Sequence, residues 1–292
     1  MNDTAELFID SRCELGEGVF WHPLQERLFW FDILNQTLFS ATEGGIMVDR
    51  FTFDAPVSAA AIIDADTLAI AAASGLFKLS LSTDARELIV PIEEDKPGNR
   101  SNDARVDRSG GFWMGTMSRK GGAEPKAGAV YQYRAGTLTT VLPDITIPNS
   151  ICFSPDGRRA YFADTAGTDI VTAPVDPATG LPNGPWTVFA STEGMGGPDG
   201  AVTDSEGYLW SARWGAGAVV RHAPDGSVDR VIHLPVSQVT CPAFGGKDLK
   251  ALYLTSAREN LSPEQLAAEP LAGGVFSIRV DVPGLPETLL KL

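Results

Sequence analysis

The feature of the sequence that most constrains its fold is a pair of short strand-like segments that recurs six times. Six apolar runs, rich in aromatic and β-branched residues, each follow a short polar turn: RLFWFDI, TLAIAAAS, GFWMGTM, RAYFADT, YLWSARW and ALYLTSA. In front of each turn lies another short segment: GVFWH, AAAII, DARVD, SICFS, GAVTD and CPAFG. Short runs of this composition, bounded by turn residues, are typical of β-strands.

Aligning the units by their turns defines one opening residue for each preceding strand. These openers are Glu17, Ser58, Asn102, Asn149, Asp199 and Thr240. They are separated by 41, 44, 47, 50 and 41 residues, and each unit adds a third strand and usually a fourth. The repeat predicts an all-β fold, a six-bladed β-propeller with four-stranded antiparallel blades around a central channel, as one domain over residues 1–292. A β-sandwich is the alternative, but it gives no reason for sixfold similarity.

Two features at the ends of the chain complete the predicted fold. Either the N-terminal ELFID or the C-terminal ETLLKL could close the ring of blades, and the sequence does not choose between them. The segment Ser262 to Leu271 has a Ser cap followed by Pro, which predicts one short helix.

The six openers are expected to meet at one mouth of the channel, because the innermost strand of every blade runs along it. All six are polar. The carboxylates of Glu17 and Asp199 and the amide oxygens of Asn102 and Asn149 suit a hard divalent cation. Without a cation, the two carboxylates would repel and one would tend to hold a proton. Read alone, IPNS or GPDG indicates an ordinary turn, but the equivalence across repeats favours a metal site.

Other catalytic patterns are missing from the sequence. It contains no HExxH zinc motif, no GxSxG nucleophile elbow and no complete dinucleotide fingerprint. His22 and His222 are therefore expected at the surface rather than in a site. The wide spacing of Cys13, Cys152 and Cys241 excludes a disulfide framework and a CxxC zinc site.

Charge and hydropathy limit the partners and the location of the protein. The formal net charge of −14 disfavours binding to nucleic acid or to an anionic membrane. The N-terminus is acidic and interrupted by charges, unlike a secretory leader. No apolar run approaches the ~18 residues of a membrane span. A cytoplasmic protein without a membrane partner is expected, and its oligomeric state is not predicted.

Four motifs in order carry a resemblance to a known family: LGEGVFWHP, RSNDARVDRSGGFWMGTM, IPNSICFSPDGRRAYFADT and GGPDGAVTDSEGYLWSARW. They resemble the SMP-30/gluconolactonase/luciferin-regenerating-enzyme family, in particular its bacterial sugar lactonases. The resemblance implies one divalent metal (Ca, Zn, Mn, Mg or Fe(II)) held by Glu17, Asn149 and Asp199, with Asp199 as candidate general base. It also implies that Arg100 and Asn102 contact the substrate.

The activity implied by the resemblance is metal-dependent hydrolysis of a sugar lactone, such as glucono-, xylono- or arabinonolactone, to the aldonic acid in sugar catabolism. The alternatives are a non-enzymatic calcium-binding regulatory propeller and a hydrolase of non-sugar lactones or organophosphates. Whether Asp199 or a metal-bound hydroxide acts as the base stays open. One loop departs from the family: SRKGG carries Arg119 and Lys120 where some members have acidic residues, so the particular sugar is not predicted.

Overall fold

The computed structural model describes residues 3–292 and shows a six-bladed β-propeller. Its strands form six sheets of four strands each. All pairings within the sheets are antiparallel, and in blades one to five the four strands follow one another both in the chain and in the sheet. The fold predicted from the sixfold repeat is therefore confirmed.

Each of the first five blades runs from its innermost strand outward. Blade one contains β2 (Gly16–His22), β3 (Arg27–Asp32), β4 (Thr37–Thr42) and β5 (Met47–Thr52), after a first strand, β1 (Glu6–Ile9). Blade two contains β6 (Val57–Ile62), β7 (Thr67–Ala72), β8 (Gly75–Ser80) and β9 (Arg86–Pro91). Blade three contains β10 (Asn99–Val106), β11 (Phe112–Ser118), β12 (Gly128–Arg134) and β13 (Thr137–Ile145). Blade four contains β14 (Pro148–Phe153), β15 (Arg159–Asp164), β16 (Asp169–Pro174) and β17 (Thr187–Ser191). Blade five contains β18 (Gly197–Thr203), β19 (Leu209–Trp214), β20 (Ala218–His222) and β21 (Val228–His233).

Blade six is closed by the N-terminal strand. It contains β22 (Val239–Gly245), β23 (Ala251–Ser256) and β24 (Val275–Arg279), and β1 pairs antiparallel with β24 as its outermost strand. The ring is thus closed by hydrogen bonds between the two ends of the chain. Of the two segments that the sequence left open for this position, ELFID is the one used.

Two short helices interrupt the strands. The helix α1 (Pro263–Ala268) begins where the Ser–Pro pair predicts it, with Ser262 and Gln265 forming a reciprocal capping box. A single 3₁₀ turn, Gly121–Ala123, follows β11. No helix among residues 3–292 is long and apolar enough to cross a membrane.

Aspartate side chains fix the turns between the first two strands of several blades. In blade three, Asp107 Oδ1 accepts the backbone N–H groups of Ser109 and Gly111, while Oδ2 accepts the indole N–H of Trp113. Asp204 makes the equivalent bonds in blade five, including one to Trp210. Each indole is buried among apolar side chains of the neighbouring strands. The repeated turn motif therefore links strand order to core packing.

The two histidines expected at the surface are buried, so that expectation was wrong. His22 lies beside Phe29, and its Nε2 is 3.2 Å from the carbonyl oxygen of Asp64 in blade two. His222 Nε2 is 2.6 Å from the guanidinium of Arg213. His22 and His222 are the last residues of β2 and β20, and both strands pack against neighbouring parts of the propeller. The local sequence does not indicate that these side chains are buried. All three cysteines are buried and free.

The C-terminal segment covers the end of the channel where the inner strands finish, which we call the far end. Its backbone is hydrogen-bonded to several blades in turn: the N–H groups of Gly284, Leu290 and Lys291 donate to Leu249, Ile62 and Gly110. Glu287 reaches Arg105 inside the channel at 2.9 Å (Oε1 to Nη1). The final segment is therefore a cover for the channel and not a blade strand.

Candidate active site at the mouth of the channel

The opposite end of the channel, where the inner strands begin, opens into a cavity of about 510 Å³ that we call the mouth cavity. All five residues proposed from the sequence line it: Glu17, Arg100, Asn102, Asn149 and Asp199. The two remaining openers make other contacts. Ser58 Oγ donates to Ser101 Oγ, and Thr240 Oγ1 donates to the carbonyl oxygen of Gly16. Four of the six openers therefore share the cavity.

An irregularity in strand pairing turns each opener away from ordinary sheet geometry. Every innermost strand shows a register shift that begins at its opener, in blades one and four, or one residue before it, in the other four blades. Such bulges bend a strand and redirect side chains. In blades one and four the residue after the opener, Gly18 or Ser150, has a left-handed backbone (φ 54° and 55°). A side chain on Gly18 would also collide with the carbonyl oxygen of Ser58.

Glu17 and Asp199 form a buried pair of carboxyl groups. Their side chains are hydrogen-bonded to each other, and Glu17 Oε2 also accepts the N–H of Gly18 at 2.9 Å. Burial, followed by the nearby charge of Asp103, raises the pKa of Glu17 to about 8. Burial and then the charge of Glu17 raise the pKa of Asp199 well above its usual range. The pair therefore favours binding a proton over carrying two adjacent negative charges.

A chain of hydrogen bonds fixes the amide groups of the site. Arg100 Nη1 donates to Asn102 Oδ1 at 2.7 Å, and Asn102 Nδ2 donates to Asn149 Oδ1 at 3.1 Å. Asn149 Nδ2 then donates to Thr165 Oγ1 at 2.7 Å, and that hydroxyl donates to the carbonyl oxygen of Pro198. Because the Thr165 proton is used on Pro198, its oxygen must accept from Asn149. The amide of Asn149 therefore keeps its oxygen on the side of Asn102.

Two equivalent aspartates hold the backbone that leads into the openers of blades one and four. Asp32 stands opposite Gly16 in the sheet, and its carboxylate accepts the N–H groups of Glu14 and Leu15. Asp164 stands opposite Pro148 and accepts the N–H groups of residues 146 and 147. In each blade the two N–H groups lie three and two residues before the opener. This function of the two aspartates was not predicted, although both end the repeated runs RLFWFD and RAYFAD.

Asp103, which received no role from the sequence, lies behind the carboxyl pair. Its Oδ2 accepts the N–H of Ile151 at 2.7 Å, and burial raises its pKa to about 6. Its charge contributes to the raised pKa of both Glu17 and Asp199. Asp103 therefore makes the pair hold its proton, or any cation that replaces it, more firmly.

The donor set at the mouth fits a hard divalent cation. Neither Glu17 nor Asp199 forms an ion pair with a basic side chain within residues 3–292, and oxygen ligands of this kind suit Ca²⁺ and similar ions. The described chain has no group of three or more His, Cys, Asp and Glu side chains that could hold a metal. A cation held by protein side chains here would therefore need an amide oxygen, and Asn149 presents one in a fixed orientation.

Comparisons with known proteins agree with this architecture. The model of the SMP-30/Gluconolactonase/LRE-like region matches residues 15–258. The chain is 37% identical to an L-arabinolactonase of Azospirillum brasilense, over 93% of this chain and 90% of that one. It is 35% identical to a 6-deoxy-6-sulfogluconolactonase of Pseudomonas putida, over 99% of both chains.

A solved structure is similar over nearly the whole molecule. It is described as a calcium-binding protein, regucalcin, from Agrobacterium tumefaciens strain C58, and its TM-score to this chain is 0.95. The two chains are 40% identical, with 99% of this chain and 98% of the other covered. The motifs, the propeller and these similarities together establish that the chain belongs to the SMP-30/gluconolactonase/LRE-like family.

Proposed function

We propose that this protein is a metal-dependent hydrolase of sugar lactones. Relatives at 35–37% identity over nearly the full chain are named as lactonases of sugars, and these are hydrolases of cyclic carboxylic esters. The observation that carries the proposal is the mouth cavity, in which a buried, unpaired carboxyl pair lies beside an arginine and two oriented amides. This arrangement can bind a cation and a polar ring side by side.

Glu17, Asn149 and Asp199 would hold the cation. When bound, the cation supplies Lewis-acid polarisation for ester hydrolysis. Asp199 would take a proton from the attacking water and return it to the ring oxygen when the carbon–oxygen bond of the lactone breaks.

Arg100 and Asn102 would orient the sugar ring. Nη1 of Arg100 is already used on Asn102 Oδ1 and on the carbonyl oxygen of Ser101. These two bonds fix the guanidinium beside Asn102, and Arg100 lines the mouth cavity. A ring fixed in this way would be positioned for attack without further cost in entropy.

The test is turnover of glucono-, xylono- and arabinonolactones by chelator-treated protein, before and after addition of single divalent cations. Activity should disappear with the chelator and return with at least one cation, after correction for spontaneous ring opening. Full turnover in metal-free buffer would contradict the metal requirement. Background rates with every lactone and every cation would contradict the lactonase proposal.

A non-enzymatic calcium-binding function is the second candidate, because the solved relative at 40% identity is described as a calcium-binding protein. The size of the mouth cavity distinguishes the two. A purely structural ion needs no adjoining space of about 510 Å³ lined by Arg100 and Asn102. Tight calcium binding without lactone turnover would favour this candidate.

A further inference from the structure

The outer part of the mouth cavity has a charge opposite to that of the protein as a whole. The chain carries a formal net charge of −14, yet three basic residues, Arg100, Arg119 and Lys120, line this one cavity. Outside the carboxyl pair, Glu259 is the acidic residue in its lining. Lys120 is neutralised by Glu124, since Nζ and Oε1 are 2.7 Å apart. Arg100 has the charges of Glu259, Glu17 and Asp199 nearby, so the uncompensated charge belongs to Arg119.

Arg119 is anchored at its base and free at its tip. It directly follows β11, and its N–H donates to the carbonyl oxygen of Gly98 at 2.9 Å. Its Nε donates to the carbonyl oxygen of Asn99 at 3.3 Å. Over residues 3–292, the terminal nitrogens of this guanidinium have no carboxylate within ion-pair distance. The two terminal nitrogens of Arg119 are therefore available as hydrogen-bond donors to a ligand in the mouth cavity.

Space for a ligand lies next to this guanidinium. Gly121 and Gly122 line the same cavity, and no heavy atom lies within 4 Å of where a side chain on either residue would begin. The two arginines also act on each other. Burial lowers the pKa of Arg100, the charges of Glu259, Glu17 and Asp199 raise it, and that of Arg119 lowers it to a smaller extent. An anion beside Arg119 would reduce this last repulsion.

We propose that the preferred substrates are lactones of anionic sugars and that Arg119 binds their anionic group. This inference rests on the proposed lactonase function and names its substrate class. The anion would be a carboxylate, phosphate or sulfonate at the end of the sugar distant from the lactone carbonyl. A guanidinium presents two parallel N–H donors that match such oxyanions, whereas neutral hydroxyl groups leave its charge uncompensated.

The experiment compares kcat/KM for matched six-carbon lactones that differ at the distal carbon: neutral gluconolactone, its 6-phosphate, its 6-deoxy-6-sulfonate and the 6-carboxylate. The wild-type protein should prefer at least one anionic lactone by ~10- to 100-fold, the range expected for a charge-assisted hydrogen bond. The anionic lactone with the highest kcat/KM identifies the anion that the protein prefers. A wild type that hydrolyses the neutral lactone at least as well as all three anionic ones would overturn the inference and leave the lactonase proposal intact.

Variants at position 119 test whether this side chain carries the preference. Arg119→Gln should lower the ratio of anionic to neutral kcat/KM by ~10-fold or more, mainly through KM, and Arg119→Lys should restore part of it. Arg50→Gln is the matched control, because it removes the same charge from the outermost strand of blade one. It should keep the wild-type ratio. A ratio unchanged in Arg119→Gln would overturn the inference.

A binding readout separates this inference from catalysis. The open-chain product of the preferred anionic lactone should raise the melting temperature of the wild type more than gluconate does at equal concentration. Arg119→Gln should abolish that difference, and equal shifts from both products in the wild type would overturn the inference. If no lactone were hydrolysed at all, the proposed function would fail, and the inference about substrate class would fail with it.

Discussion

The two ends of the channel are built from the same six inner strands, yet they treat buried charge in opposite ways. At the mouth, Glu17 and Asp199 are hydrogen-bonded to each other, and neither has an ion-pair partner within the described residues. At the far end, Arg105 is paired with Glu287 at 2.9 Å. A buried charge without a partner is costly. The carboxyl pair of the mouth therefore has no ion-pair partner among the described residues, whereas the buried arginine of the far end has one in Glu287.

At the far end, the C-terminal segment supplies the counter-charge of the buried Arg105. Burial by itself lowers the pKa of Arg105, but the charge of Glu287, together with that of Asp103 and other nearby groups, raises it above its usual range. Arg108 donates to the carbonyl oxygen of Pro286 and to Thr288 Oγ1. The terminal segment thus closes this end with charge and backbone together. Nothing equivalent in residues 3–292 covers the mouth, which stays accessible through its cavity.

The largest effect is expected when the unpaired charge of the mouth is removed. Asp199→Asn keeps the size of the side chain but removes a proposed cation ligand and the proposed base. We expect kcat/KM for a sugar lactone to fall by ~10³-fold or more, with the far-ultraviolet circular dichroism of the propeller retained.

Ser58→Ala is the matched control for this substitution, because Ser58 is the opener of blade two and is hydrogen-bonded to Ser101. Its turnover should stay within a few-fold of the wild type. Near-normal activity in Asp199→Asn would contradict the proposed difference between the two ends, because the carboxyl pair at the mouth would then have no role in the reaction.

An intermediate effect is expected from the substitution of one aspartate at the mouth end of blade four. Asp164→Ala removes the acceptor for the N–H groups of residues 146 and 147 and so loosens the approach to Asn149. We expect the apparent affinity for the activating cation to fall by ~10- to 100-fold, as for other residues that position metal ligands. The measurement is a cation titration followed by lactone turnover.

Asp156→Ala supplies the control from the other end of the same blade. Asp156 also accepts a backbone N–H, that of Arg158, but it lies in the exposed turn between β14 and β15. Its cation affinity should equal that of the wild type. Equal losses in both variants would mean that Asp164 acts on stability in general and has no particular effect on the mouth.

A feature of the fold or of the site could be predicted from the sequence when the pattern that produces it recurs along the chain. The blades and the convergence of Glu17, Asn149 and Asp199 on one cavity follow from patterns that recur every 40 to 50 residues, and the short helix follows from its own Ser–Pro start. The pair Arg105–Glu287 joins residues 182 positions apart and occurs once, so no local pattern indicates it. The buried positions of His22 and His222 are likewise decided by packing between elements.

The unpaired carboxyl groups also predict how the stability of metal-free protein changes with pH. The pKa of Glu17 is raised from 4.5 to about 8, so the folded state binds this proton more tightly than the unfolded chain does. The resulting stabilisation is complete below pH 4.5 and is lost as the pH rises through about 8. We expect the melting temperature of chelator-treated protein to fall over this window.

A divalent cation should reverse this trend, because it replaces the proton between Glu17 and Asp199. The increase in melting temperature on adding the cation should therefore be larger at the upper end of the window than at the lower end. Glu17→Gln should flatten the pH dependence of the metal-free protein. A melting temperature that rises with pH across the window would contradict the unpaired state of the mouth.

The smallest effect on turnover is expected at the far end. Glu287→Gln leaves the guanidinium of Arg105 buried without a counter-charge, which should cost about 3 kcal/mol of unfolding free energy. The kcat/KM for lactone should nevertheless stay within about threefold of the wild type, because the substitution leaves the contacts of the mouth in place. Denaturant unfolding and lactone turnover on the same preparation measure the two quantities.

The double variant Arg105→Gln, Glu287→Gln should recover part of the lost stability, since it removes both charges instead of one. Loss of turnover without loss of stability in Glu287→Gln would mean that the two ends are coupled in catalysis, and the division between a binding end and a closed end would fail.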